Sequence, residues 1–476
     1  MLSVRNLYII VISICIPAFV YGQMSELNIP VLDIETVDHI MPTRTVVQAP
    51  EGCTGTSITD NKYVKGRMTM SLMGQTVYDT YEYQEKVSGM KIKIRGNSTG
   101  ASLKQLPYKI KLSAKYDLLG RDDEEYKHKE WLLLSMYTWN RTFNYQESNI
   151  LHITGLIISK ILDKEWTPAY GFANVVLNGE YQGMYYLMEA VSKGDKRVQL
   201  DKTGFLVEHD TFWWNEDVYF KTDYQVYACG YTYKYPDNDD VTEEIQSEIK
   251  DYINTAEHAI YENGNISQYI DLESFAKWML IHDILGTDDP AGANRFMCRK
   301  DNSSKLCMGP TWDYDSSFRS DSWSYIHSFS WFYYPELFKR EDFLNTYINL
   351  WNNIRPTILN DIQVEFDKVW EKYGDVFDKS TALHRTKYPN ECRNSLREQI
   401  DEVIDKLQGR IAMLDELMKQ YDKTTTGIDD IAYRDEDART YFDLTGRKVQ
   451  STRHLDKGIY LYKGKTHLNV GTKQAK

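Results

Sequence analysis

Cysteine is scarce in this 476-residue chain: there are six, and none stands at the short paired spacing of a zinc site. Five lie beyond the N-terminal apolar stretch, at Cys53, Cys229, Cys298, Cys307 and Cys392. An odd number leaves at least one thiol unpaired even in an oxidising compartment. Dense basic runs are missing too. The net charge is −13, and no Lys/Arg cluster lays a stripe along a phosphate backbone, which excludes a nucleic-acid binder. Beyond residue 22 no segment reaches the roughly 18 uninterrupted apolar residues of a spanning helix. The mature chain is therefore expected to carry no transmembrane helix. Internal repeats and low-complexity tracts are absent as well.

The first 22 residues, MLSVRNLYIIVISICIPAFVYG, have Arg5 in a short basic start, an apolar stretch over 7–20, and Gly22 just before Gln23. That is the layout of a secretory signal peptide covering 1–22. Cys15 lies inside the apolar stretch, a poor place for a lipid-anchored first residue. The expectation is an exported protein, secreted or held at the cell surface or in the periplasm.

From 23 to 90 apolar and polar residues alternate in short runs, the period of strands. "MKIKIRGNSTGASLKQLPYKIKL" then predicts strands over 90–95 and 108–113, flanking a polar loop bracketed by Gly96 and Gly100. A helix is expected over 144–163, and Asn178-Gly179 predicts a tight hairpin turn. Past residue 240 the period becomes helical. One helix starts at the N-cap Asp271 and ends near Gly286, two more run through 340–372, and a long one covers 393–421. The last carries Ile400, Ile404, Leu407, Ile411, Leu414 and Met418 on one stripe, a core-packing face. A hairpin turning at 301–304 interrupts the helices. Its paired positions sum to 605, so Cys298 faces Cys307, close enough for a cross-strand disulfide. After the linker "TTTGIDD", the tail reads as a separate small β module, giving a linker and tail over 423–476. A β-rich half followed by a helical half is an α+β arrangement.

Two stretches carry chemistry. "GTDDPAGAN" follows the 272–285 helix and sets Asp289 five residues before Asn294; "GPTWDYDSSF" follows the hairpin with Asp313 and Asp315. On an extended segment residues two apart share a face, with Cα atoms about 7 Å apart. Two carboxylates so placed repel unless a cation lies between them, and a metal ion serves, although many such pairs are simply solvated loop residues. An Asp, an Asn five further on, a short hairpin and a second Asp form the part list of a phosphoryl-transfer site: Asp289 takes the acceptor's proton, and the others hold Mg²⁺. Asp313 is the expected ligand. Trp312 and Tyr314 would pack on the opposite side and fix its aim, whereas Asp315, also placed in the metal set, suits a turn where it accepts backbone N–H bonds. Little cationic relief is expected around Asp313. Gly96, Asn97, Ser98 and Thr99 can offer backbone N–H groups to phosphates. Lys109 and Lys111 share one strand face, and either could reach phosphate oxygens. "YLMEAV", with Glu189, is where the chain would pass between lobes and meet an adenine edge.

Taken together, "IRGNST", "PYKIKL", "EWLLL", "NGEYQGMYYLMEAV", "GTDDPAGAN" and "GPTWDYDSSF" resemble the spore coat protein H (CotH) kinase family, over roughly residues 28–335. The resemblance implies an atypical protein-kinase-like two-lobed fold using ATP and Mg²⁺, with an N-lobe over about 23–191 and a C-lobe over about 192–422. It puts Asp289 at the catalytic-loop position, Asn294 and Asp313 at metal positions, and favours Lys111 for the phosphate lysine with Lys109 as the alternative. Where a protein kinase has His-Arg-Asp, this chain has Asp288-Asp289 followed by Pro290, so either Asp can be the base. Glu147 is a candidate, on position alone, for the helix Glu that pairs the lysine. The tail ("FDLTGRKV", "KGIYLYKGK") resembles the C-terminal β tail of proteins secreted by Bacteroidetes, a sorting or surface-attachment module. Three functions follow. The first is an exported kinase acting on Ser/Thr or another hydroxyl, with a protein substrate such as a surface or coat protein. The second is a non-catalytic assembly scaffold that binds no nucleotide, and the third a metal-independent glycoside hydrolase using Asp313 and Asp315.

Overall fold

The computed structural model describes residues 22–136, 149–287, 294–318 and 332–419, with the backbone of four short strands between 441 and 469. Ten strands fill the N-terminal part: β1 (Val31–Thr36), β2 (Thr45–Gln48), β3 (Thr56–Thr59), β4 (Val64–Leu72), β5 (Gln75–Asp79), β6 (Met90–Ile94), β7 (Tyr108–Tyr116), β8 (His128–Ser135), β9 (Tyr170–Leu177) and β10 (Glu180–Glu189). Eight of them form one sheet in the order β1-β9-β10-β8-β7-β6-β4-β5, while β2 and β3 pair separately. Strand β1 pairs in parallel with β9 and antiparallel with β4, so seven strands close into a ring and β5 extends from its seam.

Alternation explains the ring. Leu32 and Ile34, Met68 and Met70, Ile92 and Ile94, Ile110 and Leu112, Trp131 and Leu133 all point inward into one apolar core. On β8, β9 and β10 the outward residues are apolar as well. Leu132, Leu134, Phe172, Met184, Tyr186 and Met188 join the larger core shared with the helical half. Hence "WLLL" and "MYYLM" show no alternation: these strands are covered on both faces.

Helix α1 (Ser98–Ser102) is one short turn after β6, where a polar loop is expected from sequence. Helix α2 (Leu151–Ile161) is the described part of the helix expected over 144–163. It stops at Leu162 because Asp163 takes a left-handed φ of 51°; residues 144–148 lie outside the described residues.

A second sheet joins β11 (Phe205–Asp210), β12 (Tyr219–Phe220), β13 (Gly230–Tyr235), β14 (Arg295–Arg299) and β15 (Cys307–Met308), in the order β12-β13-β11-β14-β15. The hairpin at 295–308 therefore does not stand alone. Its first strand docks on β11, pairing His209 with Arg295. At the turn, Asp301 Oδ1 accepts from the backbone N–H groups of Ser303 (2.8 Å) and Ser304 (2.9 Å).

Cys298 pairs with Cys307, the register expected from sequence, and both are free thiols. Burial pushes the Cys307 thiol up to about 12 and raises Cys298 further. The thiolate is the reactive form. Both residues are accordingly expected to resist alkylation at pH 8 in the native protein and to label at once in denaturant. Intact-mass analysis checks this, and native labelling at the rate of a free thiol would contradict it.

The helical half contains α3 (Glu243–Tyr261), α4 (Leu272–Leu285), α5 (Tyr334–Leu337), α6 (Glu341–Ile354), α7 (Ile358–Lys387) and α8 (Leu396–Met418). Helix α4 has the expected ends: Asp271 accepts from Ser274 N, and Gly286 closes it at φ 59°. Ser395 and Glu398 form a capping box on α8, whose stripe from Ile400 to Met418 is buried apart from a partly covered Ile404. Helix α7 packs on β10. No described helix is long and apolar enough to cross a membrane. In the tail, β16 (Tyr441–Phe442), β17 (Lys448–Val449), β18 (Gly458–Tyr462) and β19 (Lys465–Asn469) pair in the order β17-β16-β18-β19. The described chain is thus a mixed α+β fold, with an N-terminal barrel-like sheet and a helical C-terminal region.

Candidate functional site

A cavity of about 660 Å³ lies between the outer face of the ring and the second sheet. On one side β6 and β7 present Lys93 and Lys109, continued beyond β6 by Arg95, Gly96, Asn97, Ser98 and Thr99. Across from them are Glu208 and Asp210 of β11, Lys234 of β13, then Asn294, Phe296, Trp312, Asp313 and Asp315.

Strand period sorts the lysines. In the β6–β7 register Lys93 faces Lys109 and Lys91 faces Lys111. The pair nearer residues 96–99 lines the cavity, and Lys111 does not. Glu130 of β8 holds both β7 lysines, Lys109 at 3.0 Å and Lys111 at 3.5 Å. Burial opposes the charge on Glu130, but Lys109 foremost, with Lys111 and His128, together outweigh it and the carboxyl titrates below its ordinary range. Burial, with Lys109 alongside, lowers Lys93.

Residues 96–99 are shaped by two glycines. Gly96 has φ +86°, and a Cβ there would run into Thr99 Oγ1. A Cβ on Gly100 would come within 2.6 Å of the Arg95 carbonyl. Only glycine lets the chain turn this tightly between β6 and α1.

Asn294 Nδ2 donates to Asp313 Oδ2 at 3.2 Å, and both residues sit in the left-handed region at φ 62°. That separation is near the roughly 3 Å between neighbouring ligands of an octahedral ion with bonds of about 2.1 Å. With the amide turned so that Oδ1 points inward, the two side chains fit Mg²⁺. Among the described residues no group of three or more His, Cys, Asp or Glu converges as a cage. Beside phosphates Mg²⁺ often takes only one or two protein ligands.

The expectation of little cationic relief around Asp313 is corrected by Arg95. Burial raises the Asp313 carboxyl above its usual range; the Arg95 charge and the Asn294 hydrogen bond pull it part of the way back. His152 is driven down to about 4 by burial, with Arg95 adding to the shift, so it is neutral at pH 7 and can accept from Tyr314 N (3.4 Å). On the far wall Lys234 pairs with Glu208 at 2.9 Å, and burial lifts Asp210 to about 7.

Trp312 and Tyr314 are buried, but Trp312 lines the cavity beside Asp313 instead of packing on the opposite side, because the left-handed φ of Asp313 breaks the alternation of an extended strand. The Tyr314 ring lies directly over Gly155 of α2, leaving no room for a Cβ. Asp315 is buried in the following turn and lines the same cavity. Glu189, expected at the adenine edge, has its carboxylate accepting from Arg121 (2.7 Å) and Ala169 N (2.9 Å), while the next two residues, Ala190 and Val191, line the cavity. Asp288, Asp289 and Glu147 lie outside the described residues. Sequence reasoning assigned no role to Lys93, Arg95, Glu208, Asp210 or Lys234. Lys93 and Arg95 share one signal, the alternation of "KIKIR", which puts both on the face opposite the apolar residues.

These features define an α+β protein whose cavity has a cationic wall facing a carboxylate-rich one. The family model described as CotH kinase protein matches residues 92–410, and the chain belongs to that family. A search of the curated proteins finds no match.

Proposed function

We propose that this chain is an exported ATP- and Mg²⁺-dependent phosphotransferase on the two-lobed atypical kinase plan, acting on Ser/Thr or another hydroxyl of a protein at the cell surface. One observation carries the reading: Asn294 and Asp313 meet at 3.2 Å in a cavity whose facing wall bears Lys93, Arg95 and Lys109. Asp313 and Asn294 would hold Mg²⁺, which when bound neutralises phosphate charge. Lys109 steadies phosphate oxygens, with Glu130 fixing its ammonium. Residues 96–99 would hold the phosphates, and Ala190 and Val191, which line the same cavity, would border the base. Asp289 takes the acceptor hydroxyl's proton as that oxygen bonds to the γ-phosphorus and ADP departs. Family membership supports kinase-type chemistry. Export rests on the signal-peptide layout of residues 1–22 and on the tail's likeness to a Bacteroidetes secretion module.

A scaffold reading has its own support. Glu208, Asp210, Glu216 and Asp217 share the cavity and would repel a triphosphate that arrives without cations. Calorimetric titration of Mg-ATP into the mature protein separates the readings. Binding supports the kinase, its absence leaves the scaffold, and metal-independent sugar cleavage would establish the hydrolase. In a protein that binds, Lys109→Met is expected to weaken affinity about 10- to 100-fold, the loss of a charge-assisted contact. Lys111→Met should stay within about twofold, as for a surface ion pair. The reverse ranking would return the phosphate role to Lys111.

A further inference from the structure

Residues 212–217, between β11 and β12, form a strap that supplies Phe212, Asn215, Glu216 and Asp217 to the cavity wall. The strap is fastened to the opposite side. The Phe212 ring lies over Gly55, where φ is +99° and an added Cβ would stand 2.6 Å from the ring. Trp214 Nε1 donates to Thr54 O at 3.3 Å. Asn215 Nδ2 donates to Ile58 O at 2.9 Å and to Ser57 Oγ at 3.0 Å. Ser57, fully buried, passes its own proton to Asn97 Oδ1 at 2.7 Å.

The chain of bonds has one direction. Ile58 O can only accept, so the Asn215 nitrogen faces β3. Ser57 has a single proton and gives it to Asn97, so its oxygen must accept from Asn215. Asn is among the preferred residues for capping a helix. Asn97 stands at that position before α1 yet makes no cap bond, its oxygen being held by Ser57. The side chain that would have settled α1 locally is instead tied, through one buried hydroxyl, to a strap over 100 residues away.

We propose that Asn215 is a positioning residue that acts through Ser57 on Asn97, fixing residues 96–99 relative to the strap and so setting the width of the cavity. Its link to nucleotide rests on the phosphotransferase reading; the positioning itself does not, and the two can be tested apart.

The test is amide hydrogen exchange on the full mature chain, reading Ala101 and Leu103, whose N–H groups bond Asn97 O and Thr99 O at 3.0 and 3.1 Å. Asn215→Ala should speed their exchange about fivefold, the worth of one buried hydrogen bond. Asn215→Asp should do more, because a carboxylate cannot donate and faces the Ile58 carbonyl. In the same variants the Mg-ATP dissociation constant should rise about fivefold. At residues 101 and 103, Asn215→Ala combined with Ser57→Ala should speed exchange no more than Ser57→Ala alone, since Asn215 reaches Asn97 only through Ser57. Its bond to Ile58 O is lost in addition and shows elsewhere, at the strap. Unchanged exchange at 101 and 103, or fully additive effects, would overturn the proposal. Faster exchange in a wild-type-like fold that takes no Mg-ATP would leave the positioning intact and remove the nucleotide reading. Should Asn215→Asp fail to fold, Asn215→Ala carries the same test.

Discussion

Asp313→Asn is expected to remove Mg²⁺-dependent ATP binding, by at least about 100-fold, given that partners of metal ligands alone are worth about 10- to 100-fold. It should do so without unfolding the protein. Burial raises the Asp313 carboxyl above its ordinary range, and Arg95 and Asn294 only partly compensate. A carboxyl whose folded pKa is raised adds stability below its unfolded pKa, and that stability is lost as pH rises through the folded value. Ionising Asp313 is thus a cost of the metal-free fold. Asn keeps the shape, can still bond Asn294, and carries no charge, so the melting temperature should hold or rise. Asp289→Asn separates the roles: it should keep Mg-ATP binding while losing phosphate transfer. Asp315→Asn, in a buried turn, should mainly lower the melting temperature. Calorimetry and thermal melts decide the first and third, and calorimetry together with an assay of ADP release decides the second. Unchanged Mg-ATP affinity in Asp313→Asn, beside a wild type that binds, would remove Asp313 from the metal site.

The parts of this architecture that follow a local period were legible. Strands 90–94 and 108–116 alternate because one face lines the ring, and helix 272–285 announces itself by Asp271 and Gly286. The Asn294–Asp313 pairing could be anticipated because a short hairpin brings its own ends together. What stayed hidden depends on distant pairing. Lys109 and Lys111 share a face and a partner in Glu130, so spacing cannot rank them. The neighbouring cavity wall does, and it is built by residues 208–234 and 294–315. Strands β11 to β13 carry no clear signal, since β12 has two residues and β11 finds one partner almost ninety positions onward in β14. The hairpin at 295–308 is legible by itself, but its docking on β11 is not. Glu189 was assigned to the adenine side from its place in the chain. A strand's alternation puts its carboxylate toward Arg121 and leaves the next two residues to form the wall.

Gly155→Ala should destabilise the protein, and there the sign itself is informative. Gly155 sits inside helix α2, where intrinsic preference favours Ala by about 1 kcal/mol. Packing argues the other way. An added methyl would occupy the space of the Tyr314 ring, against Cγ and both Cδ atoms rather than a flexible end. Tyr314 is buried, and its N–H is held toward His152. Overpacking of this kind costs about 1–3 kcal/mol and can exceed that range when a ring cannot turn aside. The net expectation is a loss of about 2 kcal/mol, the packing cost less the helical gain. Because Asp313 immediately precedes the displaced ring, Mg-ATP affinity should fall with stability. A general weakening of α2 would lower stability alone. Tyr314→Leu frees the ring's space, so in that background Gly155→Ala should cost less than in the wild type, the mark of a direct contact. Urea melts with Mg-ATP titrations on the two single variants and the double variant measure this. A more stable Gly155→Ala with unaltered binding would mean that helix propensity wins and that the Tyr314 ring does not set the aim of Asp313.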